Sequence, residues 1–484
     1  MAEPPLDVGE FGSAFLDFMR AITEAAQRPE SPLLARLREH LGVAPDELPV
    51  TAASFGIADR PNLQLALDAV LPERETIGLA NPHMHNGGAG FAQLFARSGH
   101  GQGPFGLGPV EYADVEVGDG RVVRCVTSAL LLVSLVDVPV AVVITAEQRP
   151  PMGAMGVRLE GISPDEQAVS RLFRAIREAM LEHNVFRGKL FSLSAMGSVI
   201  FPSLPAVGRD EVVLPDGTLE RLEQHAIAIA AHADELRTAG RHLKRGVLLH
   251  GPPGTGKTLT VNYLLSAMEG RTAVILTGQA LGLIEQAFAI ARDLTPSTVV
   301  LEDVDLVAGV RTGPGSHGVL FELLNQLEGL AEDSDLLVLL TTNRPDLIEP
   351  ALAARPGRVD LALELPLPDE DARRRLFRLY AQKIELDPDA ERELVEHSPG
   401  ATGAFIKELM RQATLRAAVN GSQPRAADVV EMLAEMLEDR EALTRRLLGQ
   451  PHDGAGPQTP PSPAMFRAIA STGLPMPPGS IEPQ

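Results

Sequence analysis

The sequence predicts an α/β protein, a P-loop parallel sheet covered by helices with a C-terminal helical lid, preceded by an α+β N-terminal region. Three observations carry that expectation. Five apolar segments, "GVLLH" (246–250), "AVILT" (273–277), "TVVL" (298–301), "DLLVLLTT" (335–342) and "LALEL" (361–365), alternate with helical patterns. Strands that are apolar along their whole length need cover on both faces, which a parallel sheet with crossover helices supplies. The run "GPPGTGKT" (251–258) lies between the first of these strands and a helix, the context a phosphate-cradling loop requires. Residues 366–448 are helical by pattern, as in "DEDARRRLFRLYAQKI" and "AADVVEMLAEMLEDREALTRRLL".

The remaining elements follow in chain order. Residues 1–75 read as helical, because "FGSAFLDFMRAITEAAQ" and "LLARLREHL" repeat apolar residues at three- and four-residue spacing. The stretch "NGGAGFAQLFARSGHGQGPFGLGP" reads as loop. Short β-type runs follow, "VEYADVEV", "RVVRCVTSALLLVSLV" and "VPVAVVIT", and then a long helical pattern, "SPDEQAVSRLFRAIREAMLEHN". Together they make 76–205 an α+β recognition domain. The P-loop subdomain is expected over 206–365 and the lid over 366–448. The tail, 449–484, holds nine prolines in the 35 residues after Gly449, a composition that does not build a packed core.

Bulk properties exclude several classes. A chain of 484 residues suffices for about three domains. Its net charge of −21 argues against nucleic acid and anionic membrane as partners, since both need clustered cations. The single cysteine, Cys125, forms no internal disulfide and fits a reducing cytoplasm. The acidic start "MAEPPLDVGEFGSAF" lacks a signal-peptide pattern. The most apolar window, Ser128 to Ala146, is interrupted at its centre by Asp137 and Pro139. A charge there is costly in a bilayer but harmless at a turn, so a buried hairpin is expected, not a membrane span. His83, His85 and His100 lie among glycines and read as solvent-facing, with no cysteine nearby to complete a metal site. Neither a His-Glu-x-x-His helix nor a Gly-x-Ser-x-Gly elbow occurs.

The phosphate loop has local mechanics. Gly251, Gly254 and Gly256 let the backbone turn its N–H groups inward without Cβ clashes, and Pro252, Pro253 and Thr255 complete the turn. The helix that opens with Lys257, Thr258 and Leu259 adds its positive dipole end. Lys257 is expected to reach the β- and γ-phosphates and the Thr258 hydroxyl to ligate Mg²⁺. A guanine-reading Asn-Lys-x-Asp is missing, because "TTNRPD" lacks the lysine, so the expected nucleotide is ATP.

Three further segments, "PSTVVLEDVDLV" (296–307), "LLVLLTTNRPDLIEPALAARPGRVDLALELPLPDEDARRRLFRLY" (336–380) and "SPGATGAFIKELMRQATLRAA" (398–418), follow the phosphate loop in an order that resembles AAA ATPases over roughly residues 206–445. The resemblance implies an Mg²⁺-dependent ATPase working as a homo-oligomer, usually a hexameric ring, on a protein client. It places Asn343 beside the γ-phosphate as the sensor residue. Arg355 and Arg358 match the arginines that enter the neighbouring subunit's site, where a guanidinium fork suits the equatorial phosphate oxygens. Gly403, Ala404 and Leu376 match contacts to the adenosine side.

The chain departs from the family pattern in three places. The usual Asp-Glu pair reads Glu302-Asp303, an order that resembles the mitochondrial Rieske-protein translocase branch, although that branch carries a transmembrane helix and this chain none. Both positions keep a carboxylate, so Glu302 is expected at the Mg²⁺ shell and Asp303 at the attacking water. Asp305 is read either as a contact to the neighbour or as a cap for the segment after it. Where unfoldases of the family carry an aromatic pore triplet, the best match is Ala280-Leu281-Gly282. Leu281 either grips an extended chain or packs beneath its loop. Tyr380 stands where the family often has histidine. The expected function is ATP-driven remodelling of a protein partner recognised by residues 1–205; the alternative is an ATP-dependent scaffold or switch that recruits partners without unfolding them.

Overall fold

The computed structural model describes residues 12–19, 32–80, 90–95, 106–149, 154–308, 316–329, 334–346 and 359–447. These fall into two compact units, divided between Pro366 and Leu367.

The first unit holds two sheets. The N-terminal sheet contains β1 (Thr51–Gly56), β2 (Glu75–Ala80), β3 (Gly106–Gly108), β4 (Glu111–Glu116), β5 (Val122–Leu135), β6 (Val138–Arg149) and β7 (Ala154–Ile162). Its order is β1-β7-β6-β5-β2-β3, with β4 also on β5, and every pairing is antiparallel. The expected hairpin is β5 and β6. Leu135 pairs with Val138 across a two-residue turn in which Val136 and Asp137 have φ of 47° and 67°, the left-handed pair of a type I′ turn. The hairpin is apolar throughout because both of its faces are covered. Leu131, Val133, Val142 and Ile144 pack under helices Arg60–Val70 and Glu166–Glu182. Leu130, Leu132, Ala141 and Val143 pack against Leu33, Leu37 and Leu41 of helix Pro32–Leu41. The N-terminal segment, expected to be helical to residue 75, also contributes β1, whose pairing with β7 closes one edge of this sheet.

The second sheet has β8 (Leu190–Leu193), β9 (Val199–Ile200), β10 (Arg245–His250), β11 (Thr272–Thr277), β12 (Ser297–Glu302), β13 (Leu336–Thr342) and β14 (Leu361–Glu364). Its order is β14-β10-β13-β12-β11-β8-β9. The five segments read as strands from the sequence are β10 to β14, each within a residue or two of its expected bounds, and all of their mutual pairings are parallel. Burial on both faces explains the composition of β10 to β13, with β13 buried at every position, while the edge strand β14 is partly exposed. The sheet begins earlier in the chain than residue 206. Strand β8 adds in parallel to β11, and β9 folds back on it. The Val185 N–H donates to Asn62 Oδ1 at 2.9 Å, and the Lys189 ammonium meets the Val117 carbonyl and Asp119, both at 2.7 Å. Residues 185–201 therefore tie the two sheets into one unit.

At the end of the P-loop sheet where β13 begins, Asp335 sits between two guanidiniums. Arg245 reaches it at 2.9 Å and Arg271 at 2.8 Å, with all three side chains at most 9% exposed. Burial pushes the Asp335 carboxyl up, and the two arginines outweigh that to hold it below the usual carboxylate range.

The second unit is helical, with Glu370–Ala381, Pro388–Glu396, Gly403–Val419 and Ala426–Leu447. Three of these helices start on a side-chain cap: Asp369 accepts from Ala372 N–H, Asp387 from Ala390 N–H and Thr402 from Phe405 N–H. No helix among the described residues is long and apolar enough to cross a membrane.

Candidate nucleotide site

The glycine loop lies between β10 and helix Lys257–Ala267. Gly251 has φ of 146°, and a Cβ there would stand 2.2 Å from the Leu365 carbonyl oxygen, so no other residue fits. Gly256 has φ of 99°, and a Cβ would meet nothing within 4 Å; its side of the loop is open, as a phosphate cradle must be. Thr255 braces the turn by donating to the Pro252 carbonyl at 2.9 Å. Lys257 is only 7% exposed, and its ammonium donates to the carbonyls of Gly251 and Pro252 at 2.8 Å each. Burial lowers its pKa, and the charges of Asp303 and Asp305 oppose that shift. Those two carboxylates are therefore close enough to act on the loop's cation.

The acidic strand end is built from two neighbouring strands. Glu302 closes β12, and the Thr258 side chain acts on its carboxylate. Burial pushes the Glu302 pKa up, the Thr258 side chain pulls it down, and adjacent Asp303 pushes it up again. Asp303 adopts the left-handed conformation, φ 51°, which aspartate tolerates better than most residues. The tip of β13 holds it there. The Asp303 N–H donates to Thr341 Oγ1 at 3.0 Å, and the Val304 N–H donates to the Thr341 carbonyl at 3.0 Å. Asn343, just beyond β13, donates from Nδ2 to Asp303 Oδ1 at 3.2 Å.

The fold thus brings together the loop residues 251–259, Glu302, Asp303 and Asn343. Asp305 points back into its own chain: its Oδ1 accepts from Thr342 Oγ1 at 2.8 Å and from the Asn343 N–H at 3.0 Å. The sequence reading passed over Thr341 and Thr342; the signal was the polar pair "TT" at the end of an otherwise aliphatic strand. Leu281 is 1% exposed and Ala280 5%, and both join the core formed by Ile284, Phe288, Phe191 and Leu301. Of the two readings of the triplet, the packed one describes this conformation.

In the second unit, Leu376 is 6% exposed in helix Glu370–Ala381, and Gly403 and Ala404 begin helix Gly403–Val419 behind the Thr402 cap. The Lys407 ammonium lies 5.9 Å from the Tyr380 ring centroid. Arg355, Arg358, His83, His85, His100 and the tail 449–484 lie outside the described residues.

Residues 247–367 match the family model described as AAA, the ATPase family associated with various cellular activities. The chain carries an AAA domain. The match begins within β10 and ends just beyond β14, so it covers the loop, the acidic strand end and Asn343. Over a wider span the chain is similar to the 26S proteasome regulatory subunit 6A of Saccharomyces cerevisiae, 31% identical over 237 residues, which are 46% of this chain and 54% of that protein. It is likewise similar to the 26S protease regulatory subunit 6A of Caenorhabditis elegans, 31% identical over 213 residues, 41% of this chain and 49% of that protein. The chain therefore spans about half the length of the curated relatives it matches. Around its AAA domain the β8–β9 hairpin extends the sheet on the far side of β11.

Proposed function

We propose that this chain hydrolyses ATP with Mg²⁺ in a homo-oligomeric, hexameric ring and uses the cycle to remodel a protein partner recognised by residues 1–205. The observation that carries the ATPase reading is the joining of Asn343 to Asp303 at 3.2 Å, at the strand ends that also hold Lys257 and the Glu302–Thr258 pair. Glu302 and Thr258 fit a hard divalent cation, since both offer oxygen and Glu302 is partly desolvated. Bound there, Mg²⁺ would neutralise charge on the phosphates. Asp303 is assigned to polarise the attacking water, with Asn343 holding the carboxylate in line. Lys257 exchanges its loop carbonyls for phosphate oxygens, a stronger, charge-assisted partner. Arg355 and Arg358 are assigned by resemblance to the neighbouring subunit's site, and Leu376, Gly403 and Ala404 to the adenosine side. The Glu-Asp order is a working variant shared with the Rieske-protein translocase branch. A cytoplasmic setting fits Cys125, whose thiol burial pushes up to about 11, leaving it unreactive at neutral pH.

The burial of Leu281 favours a second reading, an ATP-dependent scaffold or switch that recruits partners without threading them. Steady-state ATPase of the wild type beside Asp303→Asn and Arg355→Ala separates the two. Turnover lost in both variants, with nucleotide binding kept, supports the motor. Equal and negligible rates in all three leave only the scaffold.

A further inference from the structure

We propose that Asp305 is a positioning residue for hydrolysis: it fixes Asn343 against Asp303 and has no direct contact with nucleotide. The inference rests on the ATPase reading above. Asp305 Oδ1 takes two donors at once, the Thr342 hydroxyl at 2.8 Å and the Asn343 N–H at 3.0 Å. Those donors sit at consecutive residues, so the bonds hold the peptide from which the Asn343 side chain leaves. That side chain then reaches Asp303 Oδ1 at 3.2 Å. The Thr342 hydroxyl also accepts from the Arg344 N–H at 2.9 Å, locking the far side of Asn343. Thr341 restrains the Asp303 backbone, whereas Asp305 binds the Asn343 N–H directly and also holds the Thr342 hydroxyl that receives the Arg344 N–H.

The need for such a latch follows from the acidic order. Asp303 is one methylene shorter than glutamate and stands on a left-handed residue, so its carboxylate has little freedom to search for the water. A misplacement of about 1 Å in a catalytic group can cost on the order of a hundredfold in rate. Holding Asn343 at its backbone removes the simplest way for the pair to drift.

The test is steady-state ATPase of the full chain for wild type, Asp305→Ala, Asp305→Asn, Asn343→Ala and the Asp305→Ala/Asn343→Ala double variant. Thermal melting and affinity for a fluorescent ATP analogue are measured alongside. Asp305→Ala should lower kcat roughly tenfold or more, with KM for ATP and analogue affinity within about threefold of wild type. Asp305→Asn, whose amide oxygen still accepts both bonds, should recover most of the rate. The double variant should be no slower than Asn343→Ala, because both changes remove one contact. Thr342→Val removes one donor without changing charge and should also lower kcat; it carries the test should Asp305→Ala not fold. Wild-type kcat in Asp305→Ala or Thr342→Val, an Asp305→Asn as slow as alanine, or losses that multiply in the double variant would each overturn the assignment. A wild type without turnover overturns the ATPase reading itself, and the positioning role falls with it. An active wild type beside an equally active Asp305→Ala removes only the positioning role.

Discussion

Replacing Leu281 by alanine distinguishes a core residue from a gripping one. The side chain is 1% exposed and packs in the cluster that contains Ile284, Phe288, Phe191 and Leu301. At about 0.8 kcal/mol per buried methylene, truncation forfeits about 2.4 kcal/mol of transfer energy, and the space left behind raises the loss to about 3 kcal/mol. In a local opening equilibrium that is about a hundredfold. The assay is amide hydrogen exchange on β11 and helix Ile284–Asp293, which flank Leu281 on both sides. Protection there should fall by about two decades, while Val419→Ala, at a site 78% exposed, should change little anywhere. Unchanged protection in Leu281→Ala, together with lost processing of an unfolding substrate, would refute the packing account and favour the gripping role.

Asn343→Ala should lower kcat by about a hundredfold and leave ATP-analogue affinity within a few-fold, because its side-chain contact is with Asp303; single-turnover kinetics checks this. Asp335→Ala leaves two buried guanidiniums without their carboxylate and should cost about 3–5 kcal/mol, read as a lowered melting temperature. Because the folded pKa of Asp335 is depressed, its contribution is present above the unfolded value and is lost as pH falls through the lower, folded one. Acid titration should accordingly melt wild type and Asp335→Asn at converging temperatures. Val136→Asn should raise stability by about 1 kcal/mol, since a β-branched residue is held at φ 47° where asparagine is favoured; chemical denaturation of both proteins measures it.

Several parts of this molecule were legible in the chain. Strands β10 to β13 announce themselves because double burial demands unbroken aliphatic runs. The phosphate loop is legible because Gly251 has no alternative beside the Leu365 carbonyl. The interrupted apolar window reads as a hairpin because Asp137 marks its turn. Strands β1, β8 and β9 were not legible. They are at most six residues long; β1 and β8 exist because a sheet edge offers them partners distant in sequence, and β9 folds back on β8. Tyr263 was equally silent: its hydroxyl donates to Glu223 at 2.5 Å, and Arg209 meets the same carboxylate at 2.8 Å, a tether that no local pattern encodes.

The acidic pair shows where the two levels divide. Sequence alone determined that a P-loop, two adjacent carboxylates and Asn343 share one α/β domain, because motif spacing along strands sets which residues reach the same end of a parallel sheet. It also determined that Asp303 is the shorter of the two adjacent acids. Only the tertiary structure decided how that acid is held: left-handed, tied to Thr341, met by Asn343, and backed by Asp305. It alone placed Leu281 in the core. Both outcomes depend on side chains from strands far apart in sequence, and hydrogen bonds and packing of that kind are chosen only once the sheet has set its neighbours.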